Sequence, residues 1–209
     1  MDETKCKSFA EYTGYLNKNI NEADTLKKKL NNNFSAFFRN TLTFAFLEHT
    51  ILPALAESKT KKRYREIRIW SAACAAGQEA YSMAMLCDTF SKNQKTGIRF
   101  RIFATDISET EIQKAQNGVY FENALKNVSY DRMKNYFTQK NDSFIVNQPL
   151  KETIDFSTFD LLNKECDCPL ASIFGNFDIV FCANLLFYYN PKVQKHIFDK
   201  VGSCLANNG

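Results

Sequence analysis

The 209-residue sequence has no uninterrupted apolar run long enough to cross a lipid bilayer, so a helical membrane-spanning segment is not expected. Residues 1–20 carry charged side chains throughout, so no signal peptide is expected either. Internal repeats and low-complexity segments are also absent from the sequence. The length and the 44% hydrophobic content then predict a globular protein with one sizeable core.

Histidine and metal-ligand patterns are scarce. The two histidines, His49 and His196, are interpreted as structural. Cys166 and Cys168 form a close pair, but no C-x-x-C or H-x-x-H stands elsewhere to complete four ligands, so we expect no metal. Without a secretory signal, all seven cysteines are expected to be reduced thiols in a cytoplasmic protein.

Acidic residues are few in the first third of the chain. Residues 1–65 contain 12 Lys/Arg and 7 Asp/Glu, which leaves 15 Lys/Arg and 16 Asp/Glu for the rest. A basic front third suits an acidic partner, such as nucleic acid or an acidic protein surface. The alternative, which we favour for Lys27-Lys28-Lys29, is an ordinary solvated helix face.

The sequence predicts helices in the first part of the chain. Apolar residues at helical spacings predict two short helices over residues 6–30, the second of them starting near residues 21–24. The segment 34–56 is dense in Phe and Leu and poor in turn residues. It predicts one helix that begins near Ser35 and ends near Pro53.

From Ile67 onward, strands and helices alternate, which is the signature of a parallel α/β sheet. Strands are predicted over 65–74, 98–108 and 177–184, and helices over 77–92, 108–118 and 190–209. Residues 119–158 break this alternation with one helix and two short antiparallel strands. We therefore predict a helical segment at 1–58 and an α/β domain at 59–209, with a small β-subdomain inserted at about 120–157.

In an open α/β sheet, ligands bind at the carboxyl ends of the strands. Asp106 follows the second predicted strand, where a carboxylate with two oxygens is placed to accept hydrogen bonds from both ribose hydroxyls. The alternative is that Asp106 only caps the helix that opens near Ser108. Spacing by itself leaves both possibilities open.

The loop after the first strand contains one glycine, Gly77, whereas a pyrophosphate site needs several. The acidic Glu79 lies in the first helical turn, where it would repel a phosphate. This pattern suits a nucleoside ligand without phosphate but with a cationic group, and S-adenosylmethionine is such a ligand. The alternative is that Glu79 only complements the helix dipole.

From about Phe9 to the C-terminus, the sequence resembles the CheR-type methyltransferases, which methylate glutamates of bacterial chemoreceptors. The resemblance rests on five motifs in the family's order: N-x-T-x-F-F-R at Asn33–Arg39, W-S-A-x-x-x-x-G-E-E-P-Y-S at Trp70–Ser82, A-T-D-I-S at Ala104–Ser108, G-x-Y at Gly118–Tyr120, and F-C-R-N-V-x-I-Y-F at Phe181–Tyr189.

The resemblance implies a Rossmann-like class I methyltransferase fold that uses S-adenosylmethionine and no metal. The residues it implies for cofactor binding are Asn33, Ser35, Arg39, Gly77, Glu79, Asp106, Asp160, Leu161, Ala183 and Asn184. Arg39 and Tyr188 would be the catalytic residues, beside the substrate carboxylate. The implied partner of this monomer is a methyl-accepting chemotaxis receptor, through its methylation helices and a C-terminal tether peptide on segment 120–157, with no nucleic acid and no membrane insertion.

The sequence also departs from the family pattern. Gln78, Ala80 and Ala183 replace the family's Glu, Pro and Arg, while Ser35 and Asp160 are milder changes. Compared with the family, the helical domain is expected to be truncated and the final strands of the sheet to be missing. Two other readings stay open: a degenerate member that binds cofactor or receptor without methylating, and a methyltransferase with a nucleic-acid substrate.

Overall fold

A computed structural model describes residues 6, 8–30, 35–60, 65–94, 97–172, 175–207 and 209. The chain divides into two compact units, Met1–Phe34 and Ser35–Gly209, and each is described by itself. The domain limits expected from the sequence, 1–58 and 59–209, stay predictions. In the described ranges, no helix has the length and apolar character that a membrane span requires.

The first unit contains two short helices, α1 (Phe9–Lys18) and α2 (Ile20–Leu30), as the apolar spacing predicted. Ser8 caps α1 by accepting a hydrogen bond from the Glu11 N–H (3.2 Å). The hydroxyl of the buried Tyr12 donates to Glu22 Oε1 (2.9 Å) and so joins the two helices.

The second unit carries the strands that the described ranges contain. They are β1 (Glu66–Ala72), β2 (Arg99–Asp106), β3 (Val119–Phe121), β4 (Phe137–Lys140), β5 (Ser143–Val146), β6 (Ile154–Thr158) and β7 (Ile179–Phe181). Its helices are α3 (Thr41–Phe46), α4 (Leu52–Thr60), α5 (Gln78–Gln94), α6 (Glu109–Asn117), α7 (Tyr130–Tyr136), α8 (Gln148–Lys151) and α9 (Pro191–Ser203).

The central sheet has the strand order β6-β2-β1-β7, and all its neighbouring strands are parallel. Both of its faces are covered, as a parallel sheet requires. Along β1, Ile67 and Ile69 face the core cluster that includes α5. Trp70 and Ala72 face the opposite cluster, which includes Ile197 of α9. This is the Rossmann-like α/β fold that the sequence predicted.

The helix predicted from Ser35 to Pro53 is wrong at both ends. Residues 35–40 are irregular, and α3 starts only after its cap Asn40, which accepts from the Thr43 N–H (3.2 Å). At the other end, the helical path continues to Thr60 through a π-helical stretch at Leu47–Ile51. Pro53 has no N–H to donate to the preceding helical turn. The wider π-helical turn directly before it accommodates this missing hydrogen bond.

A small antiparallel sheet with the order β3-β5-β4 forms the inserted subdomain, together with α7. One of the two antiparallel strands predicted within 119–158 is wrong, because its residues form β6, an edge strand of the central sheet that is parallel to β2. Pro149 lies in the first turn of α8, which separates β5 from β6. The chain therefore leaves the small sheet before it reaches the large one.

The last helix is also shorter than predicted. It ends at Ser203 rather than at the last residue, because the following backbone pairs with the segment before β7. Phe177 donates its N–H to the Cys204 carbonyl oxygen (3.0 Å) and accepts from the Ala206 N–H (2.9 Å). An isolated parallel bridge joins Phe177 to Leu205.

This pairing brings Cys204 beside Cys168, and the two form a disulfide. The expectation that all seven cysteines are reduced is therefore wrong for this pair. Among the other described cysteines, Cys74, Cys87, Cys166 and Cys182 are free thiols.

Candidate active site

The carboxyl ends of the parallel strands meet at one edge of the central sheet, where an α/β fold binds its ligand. The strand register places Asp106 opposite Thr158, the last residue of β6. It also places Ala72 opposite Thr105, and Ser71 opposite Phe181. The segments that follow β1, β2, β6 and β7 therefore lie side by side, and they carry most of the predicted site residues.

The loop after β1 is unusual because every second residue from Ala73 to Gly77 has a left-handed backbone conformation. Ala73, Ala75 and Gly77 have φ values of 69°, 48° and 89°. Such an alternation turns backbone N–H groups toward an anion. Here the anion is part of the protein, since the Ala75 N–H donates to Asp106 Oδ2 (2.9 Å). This use of the loop agrees with the sequence-based argument against a pyrophosphate site.

Gly77 is required by both backbone conformation and space. Its φ of +89° is unfavourable for any residue with a side chain, and a Cβ there would lie 2.8 Å from Ala115 Cβ on α6. We expect Gly77→Ala to lower the free energy of unfolding by about 2–4 kcal/mol, from the left-handed backbone and the overpacking together.

Urea denaturation of the two glycine variants would measure this effect. Gly97→Ala is the matched control, because Gly97 also has a positive φ (+65°) but a Cβ there meets open space. The control is expected to lose about 1 kcal/mol, from the backbone conformation alone. Equal losses in the two variants would contradict the packing role of Gly77.

Asp106 is the last residue of β2, and both of its carboxylate oxygens accept hydrogen bonds. Oδ2 accepts from the Ala75 N–H and Oδ1 accepts from the Ser108 N–H, each at 2.9 Å. The N-cap of α6 is Ser108, which accepts from the Glu111 N–H. Burial raises the pKa of Asp106, while the two N–H donors oppose that shift. Each oxygen keeps a lone pair, so a neighbouring diol has two acceptors.

Glu79 lies in the first turn of α5, close to the end of β1. The Ser71 hydroxyl donates a hydrogen bond to Glu79 Oε1 (2.7 Å). Burial raises the pKa of Glu79 to about 7, and both Ser71 and the positive charge of Arg39 oppose this rise. The structure therefore brings Arg39 from segment 35–40 into electrostatic range of Glu79. A cation at this carboxylate would be strongly favoured.

Gln78 precedes Glu79 and is 8% exposed. Its Oε1 atom is buried and has no hydrogen-bond partner among the described residues. A buried acceptor without a donor is unfavourable, so a ligand that donates a hydrogen bond there would relieve the cost.

The segment after β6 lies next to Asp106, since the Phe159 N–H donates to the Asp106 carbonyl oxygen (3.0 Å). Asp160 is partly exposed, and its Oδ1 accepts from the Leu162 N–H (2.8 Å). Leu161 is buried and joins the core cluster of Trp70. This segment therefore places a buried apolar side chain directly after a carboxylate in the sequence.

The remaining predicted residues are more exposed. Ala183 and Asn184 follow β7, and Asn184 has a left-handed φ of 57°, which asparagine tolerates. Tyr188 is 56% exposed, and its ring lies 4.3 Å from that of Phe187, centroid to centroid. Ser35 is partly exposed. Asn33 lies outside the described residues.

Sequence reasoning missed three residues that face these groups. Ser71 binds Glu79 directly. The Cys182 thiol, directly after β7, has its pKa raised to about 11 by burial and by the charge of Glu79. The pKa of Tyr189 is raised by burial and by the charges of Asp160 and Asp106. All three lie inside the motifs quoted above, so their positions were visible in the sequence although their contacts were not.

Among the described residues, no group of three or more His, Cys, Asp or Glu side chains is arranged to hold a metal ion. The edge of the sheet instead has a carboxylate suited to a diol, a second carboxylate suited to a cation, and the buried apolar side chain of Leu161. A nucleoside with a cationic tail matches these three features.

The chain is similar to curated chemotaxis methyltransferases. It is 31% identical over 205 residues to the "Chemotaxis protein methyltransferase" of Borreliella burgdorferi, with 97% of this chain and 71% of the relative covered. It is 32% identical over 208 residues to the Escherichia coli protein of the same name, with 96% and 67% covered. Among solved structures, it is similar to the DszA carbon methyltransferase, with 16% identity, a TM-score of 0.48, and 81% of this chain and 34% of the other covered.

Residues 33–209 match the family described as "CheR methyltransferase, SAM binding domain". The matched range contains the loop after β1, Asp106, the inserted subdomain and the segments after β6 and β7. The resemblance seen in the sequence motifs is therefore confirmed, and this chain belongs to the CheR methyltransferase family.

Proposed function

We propose that this protein transfers a methyl group from S-adenosylmethionine to glutamate side chains of a chemotaxis receptor. The observation that carries the proposal is the placement of Glu79 and Asp106 at one edge of the sheet, on the carboxyl side of two adjacent parallel strands. The names of the curated relatives, chemotaxis protein methyltransferase, support the biological setting.

The residues present fit S-adenosylmethionine. Asp106 would accept from the two ribose hydroxyls, and Asp160 and Leu161 would lie along the adenine. Glu79, with its pKa raised to about 7, would gain a cationic partner in the ammonium group. The orphaned Gln78 Oε1 would gain a donor nearby. Gly77 would allow the loop to approach the cofactor, with Ser35, Arg39, Ala183 and Asn184 around it.

The main task of the protein in this reaction would be to align the methyl donor with the acceptor carboxylate. When bound, the cofactor supplies an activated methyl group on a sulfonium. A glutamate carboxylate is already nucleophilic at neutral pH, so no general base is required. Arg39 would hold the acceptor carboxylate in a fixed geometry, and Tyr188 would donate one hydrogen bond to it.

Arg39 is better suited to positioning than to strong ground-state binding. A tight grip on the substrate carboxylate would lower its nucleophilicity and raise the barrier. The charge of Arg39 is already shared with Glu79. The same guanidinium can therefore orient the acceptor without holding its full charge.

The inserted subdomain supports the partner part of the proposal. Its sheet leaves β3 and β4 as outer strands, and Val119 and Phe121 on β3 are 48% and 65% exposed. An outer strand with exposed apolar residues suits the addition of an extended peptide, such as a receptor tether. We propose that the protein works on the receptor as a monomer in the cytoplasm, without nucleic acid.

Calorimetric titration with S-adenosylhomocysteine, the reaction product, tests the cofactor site. Micromolar binding by the folded 209-residue chain is the expected result. A receptor methylation assay with radiolabelled cofactor then tests the activity, and base-labile label on the receptor identifies carboxyl methyl esters. Cofactor binding without receptor labelling would favour a non-methylating binding protein, and no binding by a folded chain would refute the cofactor site.

A further inference from the structure

The irregular segment 35–40 carries Arg39, and its geometry depends on one residue. Phe38 has a φ of +49°, in the left-handed region that a bulky side chain rarely adopts. Arg39 follows directly, so the backbone conformation of Phe38 sets the direction in which the Arg39 side chain leaves the chain. Such strain persists only where the surroundings hold it, and it concentrates at functional sites.

One restraint on Phe38 comes from α5. The Phe38 N–H donates to Ser82 Oγ (2.9 Å), and the Ser82 hydroxyl in turn donates to the Gln78 carbonyl oxygen (2.7 Å). Ser82 is fully buried. Ser82 lies one helical turn beyond Gln78 and Glu79, so this chain of hydrogen bonds ties the backbone next to Arg39 to the turn that carries the site carboxylate.

A second restraint comes from the inserted subdomain. Asn127 Nδ2 donates to the Phe38 carbonyl oxygen (3.4 Å). The guanidinium of Arg132 lies 4.6 Å from the centre of the Phe38 ring, and its Nη2 donates to both carboxylate oxygens of Glu48 (2.9 Å each). The preceding Phe37 is fully buried and packs edge-on against Tyr120. The N–H, the carbonyl and the ring of Phe38 are thus each held by a different partner.

We propose that Ser82 and Asn127 are positioning residues that act through Arg39. By holding the two peptide groups of Phe38, they keep Arg39 facing Glu79 and the cofactor. The inserted subdomain is then part of the active-site scaffold, in addition to any role in partner binding. This inference rests on the proposed function, since it assigns the two residues to the same cofactor site.

A double-mutant cycle with S-adenosylhomocysteine tests the proposal. Ser82→Ala is expected to weaken calorimetric affinity about fivefold to tenfold, which is the effect of one buried hydrogen bond. In an Arg39→Ala background, the same change is expected to alter affinity by less than about twofold, because the residue through which Ser82 acts has been removed. Thermal unfolding of all four proteins reports the structural cost separately.

Two further variants make the test decisive. Asn127→Ala removes the other hydrogen bond from an exposed position, and it is expected to weaken binding through the same coupling to Arg39 even where Ser82→Ala fails to fold. Thr89→Ala is the control, because Thr89 also donates to a carbonyl four residues earlier on α5 (2.8 Å) but contacts Tyr136 instead of Phe38. Its affinity is expected to match that of the unmodified protein.

Equal losses for Ser82→Ala in both backgrounds, or no loss in either, would overturn the positioning role. A folded parent protein that does not bind S-adenosylhomocysteine would refute the proposed function and this inference together. Binding that is intact in the parent, lost in Arg39→Ala and unaffected by Ser82→Ala and Asn127→Ala would refute the inference alone.

Discussion

Asp106→Ala is expected to weaken S-adenosylhomocysteine binding by roughly 100-fold or more. A hydrogen bond to a charged acceptor contributes about 1.5–3 kcal/mol, and Asp106 would accept two from the ribose. A loss of about 3 kcal/mol corresponds to roughly 100-fold in the dissociation constant. The variant also removes the acceptor of the Ala75 N–H, which loosens the loop after β1.

Calorimetry on two further variants separates the binding role of Asp106 from its structural role. Asp106→Asn keeps an oxygen acceptor without the charge, and we expect it to fold and to bind with intermediate affinity. Asp155→Asn is the control, since Asp155 lies on the adjacent strand β6 but is 48% exposed and paired with Arg101 outside the site. Unchanged affinity in Asp106→Ala would refute the ribose assignment.

The main features of the sheet and its binding edge were predictable from local patterns. The runs that became β1 and β2 alternate apolar and charged residues at first and then become mostly apolar. Each is followed by a helix, and Gly118 marks the end of the second of these helices. A carboxylate at the end of β2 is a local signal too, so the position of Asp106 at this edge was predictable, while its binding role stays a prediction. The parallel arrangement then follows from the alternation of strands and helices.

The sequence-based predictions that were wrong concern features that depend on contacts between residues distant in the chain. Phe37 lies in a Phe-rich run that predicted a helix, but its ring is buried against Tyr120 and Phe137 of the subdomain, and the backbone of 35–40 is irregular. The strand β6 is five residues long, and nothing local distinguishes a parallel partner from an antiparallel one. The Cys168–Cys204 pair depends on backbone pairing across 36 residues.

The affinity for S-adenosylhomocysteine is expected to rise with pH because of Glu79. Its carboxyl group has a pKa of about 7, so it is mostly protonated at pH 6 and mostly ionised at pH 8. Only the ionised form pairs with the ammonium of the ligand. The dissociation constant is therefore expected to be about tenfold larger at pH 6 than at pH 8, from the fraction ionised at each pH.

Glu79→Gln tests the origin of this pH dependence. The variant should bind weakly, and its affinity should not change between pH 6 and pH 8. In the unmodified protein at pH 7, about half a proton should be released per ligand bound, because Glu79 is then half protonated. Calorimetry in buffers of different ionisation enthalpy measures this release. A flat affinity profile in the unmodified protein would contradict the pairing of Glu79 with the ligand cation.

The same substitution should stabilise the ligand-free protein. Burial raises the pKa of Glu79 from 4.5 in the unfolded chain to about 7, so the folded state bears a cost that is absent below pH 4.5 and complete above pH 7. At pH 8, Glu79→Gln is expected to gain about 2 kcal/mol, or roughly 4–8 °C in Tm, after a discount for partial exposure. At pH 4 the gain should vanish.

The control for this stability change is Glu109→Gln. Glu109 is also an acidic residue in the first turn of a helix at the binding edge, but it is exposed. If both glutamates only complement a helix dipole, each substitution should cost about 0.3–1 kcal/mol at pH 8. Opposite signs, with Glu79→Gln more stable and Glu109→Gln slightly less, would show that Glu79 is kept at the expense of stability. Such a cost is expected of a residue retained to bind the cationic end of a ligand.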